Sequence, residues 1–227
     1  MKKALALTAF KRPQYLQQVL ESLRRTGASD YTMFIGVEPV SSEVIKVCRS
    51  IDFLPTEITI NSKILGVREN PFQTIKRAFD AGYDAVWQLE DDVVLSPDAA
   101  NLVGAYLEFD RKDDFLCLNL YNSDSKVDDE HNIIASKGFN ALSLAVTRTQ
   151  WENYFVPNYW IHPSGWDWAL TEFQKKANVS NLTPAMSRSH HIGREGGTHY
   201  RAAQHDEMYI HNKWKKEGKV TEFKFLV

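Results

Sequence analysis

Glu90, Asp91 and Asp92 follow one another with nothing between them, so three carboxylates share a few ångströms of chain. In a buried position they repel one another and need a cation or hydrogen-bond donors to offset that repulsion. Oxygen-only ligands select hard cations such as Mg²⁺ or Mn²⁺, often shared with a diphosphate. A solvated acidic turn ahead of a helix near Pro97 is the plainer reading. The flanks argue against it: Ala85-Val86-Trp87-Gln88-Leu89 precedes the triplet and Val93-Val94-Leu95 follows it. Solvated turns are seldom enclosed between two buried runs.

A second group is Gly165-Trp166-Asp167-Trp168. A carboxyl between two indoles is expected in surroundings that raise its pKa, as a general base near neutral pH requires. Tryptophan faces also stack on sugar rings. An equal alternative makes both tryptophans core anchors and Asp167 a helix cap. The third group is Gly193-Arg194-Glu195-Gly196-Gly197-Thr198, with His190, His191 and His199 around it. Its glycines permit close backbone approach, and Arg194 could neutralise a phosphate. A phosphate-gripping lid and an ordinary surface loop both fit. The whole segment Ser187–Tyr200 is expected to bury little and to move. Five of the seven histidines fall between 190 and 211, but their spacing matches neither H-E-x-x-H nor a finger, so no zinc centre is expected.

These groups need elements to position them. Ala4–Phe10, Met33–Val37, Glu57–Asn61 and Ala85–Leu89 read as strands. Between them lie three helical patterns: one opened by Pro13 with Leu16, Val19, Leu20 and Leu23, one at Ser42–Cys48, and a stripe of Phe72, Ile75, Ala78 and Phe79 ending at Gly82. Strands alternating with helices predict an α/β fold with a largely parallel sheet and helices on both faces. Ligands of such sheets bind outside the carboxyl ends of the strands. Arg12, Glu38 and Arg68 follow the first, second and third strands, on the same edge as the triplet, which points to a nucleotide pocket. Further on, Phe115–Leu120 and Leu142–Thr147 read as strands around a polar stretch from Asn122 to Lys137. Trp166–Ala177 and Gln204–Lys215 read as helices.

The 227 residues suffice for one sizeable core, so a single domain is expected, with residues 1–100 carrying the nucleotide pocket and 101–227 the candidate base Asp167. Composition is that of a globular protein, 43% hydrophobic and 25% charged, which excludes global disorder and fibrous repeats. Lys plus Arg is 27 against 29 Asp plus Glu, so the broad positive field of a nucleic-acid binder is lacking. Cys48 and Cys117 are too few for a disulfide framework and are expected to be reduced, in a cytoplasmic protein. Met1-Lys2-Lys3 and the apolar run after it superficially resemble a signal peptide. However, Lys11-Arg12-Pro13 stands where a cleavage site belongs, and no stretch reaches the length of a membrane span.

Taken in order, the motifs resemble glycosyltransferases of the GT-A fold. They look most like the α-1,3-mannosyl-glycoprotein 2-β-N-acetylglucosaminyltransferases, glycosyltransferase family 13. The resemblance runs from Ala4 to about Trp214 and is most specific in Glu90-Asp-Asp with Ser96-Pro97-Asp98, in Trp166-Asp-Trp168, and in Ser187-Arg-Ser through Gly193-Arg-Glu-Gly-Gly-Thr-His199. It implies that Arg12 contacts the nucleotide and that Glu38, where the family commonly has Asp, accepts from uracil. It implies that Glu90 and Asp91 approach ribose and donor sugar, that Asp92 ligates Mn²⁺ (or Mg²⁺), and that Asp167 is the catalytic base. Arg194 and Thr198 would belong to a loop closing over the donor. The family pattern has two acids between its tryptophans and this chain has one. The eukaryotic enzymes' anchor and stem have no counterpart here, which suggests a microbial or viral enzyme with another acceptor.

The expected reaction is inverting, metal-dependent transfer of a sugar, with N-acetylglucosamine implied by the resemblance, from a UDP-sugar to a hydroxyl of a glycan or glycoconjugate. A nucleotidyltransferase is the enzyme alternative, but it usually has a glycine-rich, lysine-containing loop where Phe10-Lys-Arg-Pro-Gln14 stands. A glycoside hydrolase also uses paired carboxylates, though adjacent acids are poorly placed to flank a glycosidic bond. From another class, the chain could be a nucleotide-sugar-binding module that has lost catalysis.

Overall fold

The computed structural model describes residues 1–125, 129–196, 202–209 and 212–227. Its first half alternates as the sequence predicts: β1 (Lys3–Ala9), α1 (Pro13–Thr26), β2 (Tyr31–Val37), α2 (Ser42–Arg49), β3 (Thr56–Ile60), α3 (Gly66–Asp80) and β4 (Ala85–Glu90). There follow β5 (Val93–Leu95), α4 (Ala99–Glu108), β6 (Leu118–Asn119), β7 (Asn132–Ser136) and β8 (Ser143–Thr147). A helical segment runs from α5 (Arg148–Gln150) through one wide turn at Trp151–Phe155 into α6 (Val156–Asn158). The chain finishes with α7 (Trp166–Ala177), β9 (Asn181–Pro184), β10 (Ser189–His191), α8 (Ala202–Tyr209) and β11 (Lys224–Leu226).

The main sheet has strand order β11-β7-β9-β6-β8-β4-β1-β2-β3 and runs through both halves of the chain. β1 pairs in parallel with β2 and β4, and β2 with β3, while β8 runs antiparallel to β4. Alternate residues of β1 face opposite sides. Leu5 and Leu7 meet α1, α2 and α4 through Leu16, Val44 and Leu102, whereas Ala4 and Ala6 meet α3 and α7 through Ile75, Phe79 and Leu170. Each fully buried Leu, Ile, Val or Phe among these contributes about 1.5–3 kcal/mol, the alanines less. Cys48 and Cys117 are unpaired and buried, and burial pushes the Cys48 thiol up to about 12. No described helix is long and apolar enough to cross a membrane.

Two expectations for the second half need correction. Gln204–Lys215 is not one helix: α8 is described over Ala202–Tyr209, whereas Trp214 bridges Ser187 and the Lys215 N–H donates to the Ser187 carbonyl. Nor is the start of Ser187–Tyr200 a mobile loop. Ser187, Arg188 and Ser189 are fully buried, and β10 pairs with β5. Their polar groups are answered inside the protein: Arg188 Nε donates to both oxygens of buried Asp98, at 3.0 and 3.1 Å, and the Val220 N–H donates to the same carboxylate. Breaking a buried ion pair from one side typically costs about 3–5 kcal/mol. Asp98→Ala is therefore expected to lower unfolding free energy in urea by about that amount, and a loss under about 1 kcal/mol would contradict this role.

Candidate active site

A cavity of about 580 Å³ opens at the carboxyl ends of β1, β2 and β4. Arg12, Glu38, Arg68, Glu90, Asp91, Asp92 and Asp167 all line it, so residues spread over 155 positions of sequence share one space. Parallel pairing explains the first part of this convergence, because it brings the ends of three neighbouring strands, and the residues after them, to one edge.

Asp91 and Asp92 are nearly buried. The Phe10 N–H donates to Asp91 Oδ2 at 2.8 Å. Arg12 Nη2 donates to Asp91 Oδ1 at 3.1 Å and to Asp92 Oδ2 at 2.5 Å. Burial, then repulsion from Asp92 and Asp91, holds Glu90 well above the usual carboxylate range, and Asp167 adds to that repulsion. Burial and Asp92 push Asp91 up to about 6, against the pull of Arg12. Burial works to raise Asp92 too, but His191 and Arg12 hold it below its ordinary value.

His191 is the site residue that sequence spacing did not single out. Its Nε2 lies 3.2 Å from Asp92 Oδ2, because antiparallel pairing sets His191 opposite Val93, one residue beyond Asp92. No local pattern announces a pairing made across about a hundred residues. Gly193 closes over the same point. A Cβ there would fall 2.2 Å from Asp92 Oδ2 and 3.0 Å from Arg12 Nη1, so only glycine allows this approach.

Glu38 reaches the cavity wall, but its carboxylate is engaged. It accepts from Gly66 N at 2.8 Å, Leu65 N at 3.0 Å and Asn61 Nδ2 at 3.3 Å. It thereby satisfies free N–H groups at the start of α3 and fixes the turn that leads to Arg68. The Arg68 guanidinium rests over Trp160 at 5.0 Å, with Nε buried and without a hydrogen-bond partner. The Tyr159 hydroxyl donates to the Arg68 carbonyl at 2.9 Å while its ring stacks on Trp166 at 5.1 Å. Tyr159 thus ties Arg68 to the helix that carries Asp167.

Asp167 sits in the first turn of α7, where the helix dipole favours an anion, with Oδ1 folded back over Gly165. The expected sandwich between two indoles is not formed. Successive helical residues point about 100° apart, so Trp166 is buried while Trp168 is 58% exposed and stacks on His162. Arg194 is not brought to the cavity: it forms a two-pronged pair with Asp206 on α8, at 2.9 Å. Thr198 lies outside the described residues.

A family model described as "Glycosyltransferase like family 2" matches residues 3–119, just over half of the chain. The chain belongs to this glycosyltransferase family. A search of curated protein sequences finds no match. Among solved structures, TarS 1–349 from S. aureus in complex with UDP superposes with a TM-score of 0.61 at 11% identity, covering 92% of this chain and 69% of that one. A second structure of TarS 1–349 gives 0.58 at 11% with the same coverage, and longer TarS gives 0.57 at 10%, of which this chain spans 42%. At such identities the likeness is one of fold, and that fold is the α/β GT-A architecture expected from the motifs. It does not extend to the narrower family 13 likeness.

Glu38→Gln is expected to set an amide N–H₂ against the N–H donors of Leu65 and Gly66 and to lower stability by about 1–3 kcal/mol, measured by chemical denaturation; an unchanged midpoint would remove the bracing role.

Proposed function

We infer that the protein transfers a sugar from a UDP-sugar to a hydroxyl group of a glycan or glycoconjugate, with inversion at the anomeric carbon. The observation that carries this reading is the convergence of the acidic triplet, Arg12, Arg68 and Asp167 on one cavity at the strand ends. The fold likeness to a UDP-bound glycosyltransferase supports uridine as the donor's nucleoside. N-acetylglucosamine as the donor sugar, and the narrower kinship with family 13, rest on the order of the motifs alone.

Arg12 and Arg68 face the donor's diphosphate, and Glu90 and Asp91 its ribose and sugar. Burial and its acidic neighbours raise Glu90 well above the usual carboxylate range, which favours its neutral, hydrogen-bond-donating form beside a sugar hydroxyl. Asp167 accepts the proton of the acceptor hydroxyl as that oxygen attacks the anomeric carbon. Inversion needs no nucleophile from the enzyme, which suits a cavity whose lining holds Asp167 on α7 besides the triplet.

A divalent ion is implied by this reading. Among the described residues no three His, Cys, Asp or Glu side chains are grouped to hold one. The donor chemistry still fits a two-ligand site: Asp92 offers an oxygen and His191 a nitrogen within 3.2 Å of it. Mg²⁺ and Mn²⁺ commonly take their other ligands from substrate phosphates and water. Asp92 and His191 would hold the ion, which when bound offsets charge on the departing diphosphate.

Asp167→Asn is expected to slow transfer by about 10²–10⁴-fold while UDP affinity is kept, measured as UDP released from UDP-N-acetylglucosamine with Mn²⁺ and candidate acceptors. A variant with full activity would remove Asp167 as the base.

A further inference from the structure

Arg12 lies on the acidic cluster rather than out in the cavity. One nitrogen, Nη2, bridges Asp91 and Asp92 at 3.1 and 2.5 Å, and 16% of the side chain is exposed. The other two, Nε and Nη1, are buried with no hydrogen-bond partner. A buried donor left without an acceptor carries its desolvation penalty uncompensated. The residue is also boxed in: Tyr15 packs its ring 5.3 Å from the guanidinium, and the Tyr15 hydroxyl accepts from the Glu195 N–H at 3.2 Å. A Cβ on Gly193 would come within 3.0 Å of Nη1, and one on Gly196 within 3.6 Å of the Arg12 stem. A cation held this firmly on two carboxylates occupies the charge position that a divalent ion at Asp92 requires.

We propose that Arg12 is a place-holding cation, neutralising Asp91 and Asp92 in the substrate-free enzyme and yielding Asp92 to a divalent ion as the donor diphosphate draws the guanidinium away. The proposal rests on the diphosphate-and-metal reading above. Guanidinium is permanently charged, so it compensates the carboxylates at any working pH. Nε and Nη1 lie on different edges of the guanidinium, and each completes a two-pronged phosphate fork only with Nη2, so releasing Nη2 from the carboxylates is what lets the unanswered donors bind a phosphate with two parallel hydrogen bonds. Exchange therefore replaces one compensated state by another: carboxylates with arginine before, carboxylates with metal and arginine with diphosphate after. Neither state leaves the triplet bare. Metal and nucleotide binding become coupled, and the coupling is reciprocal.

The test is Mn²⁺ binding without turnover, by calorimetry or by the spin-resonance signal of free Mn²⁺, on wild-type protein, Arg12→Gln and Arg12→Lys, each with and without UDP. Without UDP, Arg12→Gln is expected to bind Mn²⁺ at least tenfold more tightly than wild type and to show a larger Mn²⁺-induced rise in melting temperature. Its further gain on adding UDP is expected to be smaller than wild type's. Arg12→Lys keeps the charge, but its shorter side chain does not carry a nitrogen to the Nη2 position between the two carboxylates; a several-fold gain is expected. Equal or weaker Mn²⁺ binding by both variants overturns the exchange, and if wild type still binds Mn²⁺ with UDP the functional reading survives that result. Absence of Mn²⁺ binding in all three proteins, with UDP present, overturns both the exchange and the metal part of that reading.

Discussion

The central constraint in this molecule is electrostatic: Glu90, Asp91 and Asp92 share the end of a buried strand, and their repulsion must be balanced nearby. Arg12 and His191 reach Asp92, the Phe10 N–H and Arg12 reach Asp91, and Glu90 is left to rise well above the normal carboxylate range. Each partner comes from a different part of the chain. The balance therefore exists only when β1, β4, β5 and β10 are correctly paired. Among the described residues Arg12 is the one guanidinium that touches both Asp91 and Asp92, so small displacements of it change the field that both carboxylates feel.

The rest of the fold holds the other residues of the cavity lining in place. Tyr159 is the main strut. It is fully buried, stacked on Trp166 and hydrogen-bonded to the Arg68 backbone, so α7, which carries Asp167, is tied to Arg68 at the head of α3. Glu38 fixes the turn before α3 from the other side. On the far flank, the Arg188–Asp98 pair anchors the segment that delivers His191. Tyr159, Glu38 and the Arg188–Asp98 pair serve positioning, since each is answered by a partner on another element.

Much of this was legible in the sequence, for physical reasons that also mark where legibility ends. The β1–β4 region alternates apolar runs and helical stripes, which are local signals, and the acidic triplet stands at a strand end where its repulsion is informative. Arg12, Glu38 and Arg68 could be placed by counting strands. β7, β9 and β11 were not visible, because they are short and carry asparagine, serine, threonine, proline or lysine in place of apolar runs. Ser187–His191 looked solvated since nothing in five polar residues tells that Asp98 will answer Arg188. His191 needed the β5–β10 pairing, and Arg194 was lost to Asp206, a partner supplied by α8. In each case the deciding contact is long-range.

The most direct measurement is a crystal structure of the protein soaked with UDP and Mn²⁺, with anomalous scattering recorded at the manganese edge. The account predicts a manganese peak beside Asp92 and His191, with the diphosphate against Arg12 in the cavity that also holds Asp167. Nucleotide bound elsewhere on the molecule, or a diphosphate in that cavity with no ion near Asp92, would contradict it.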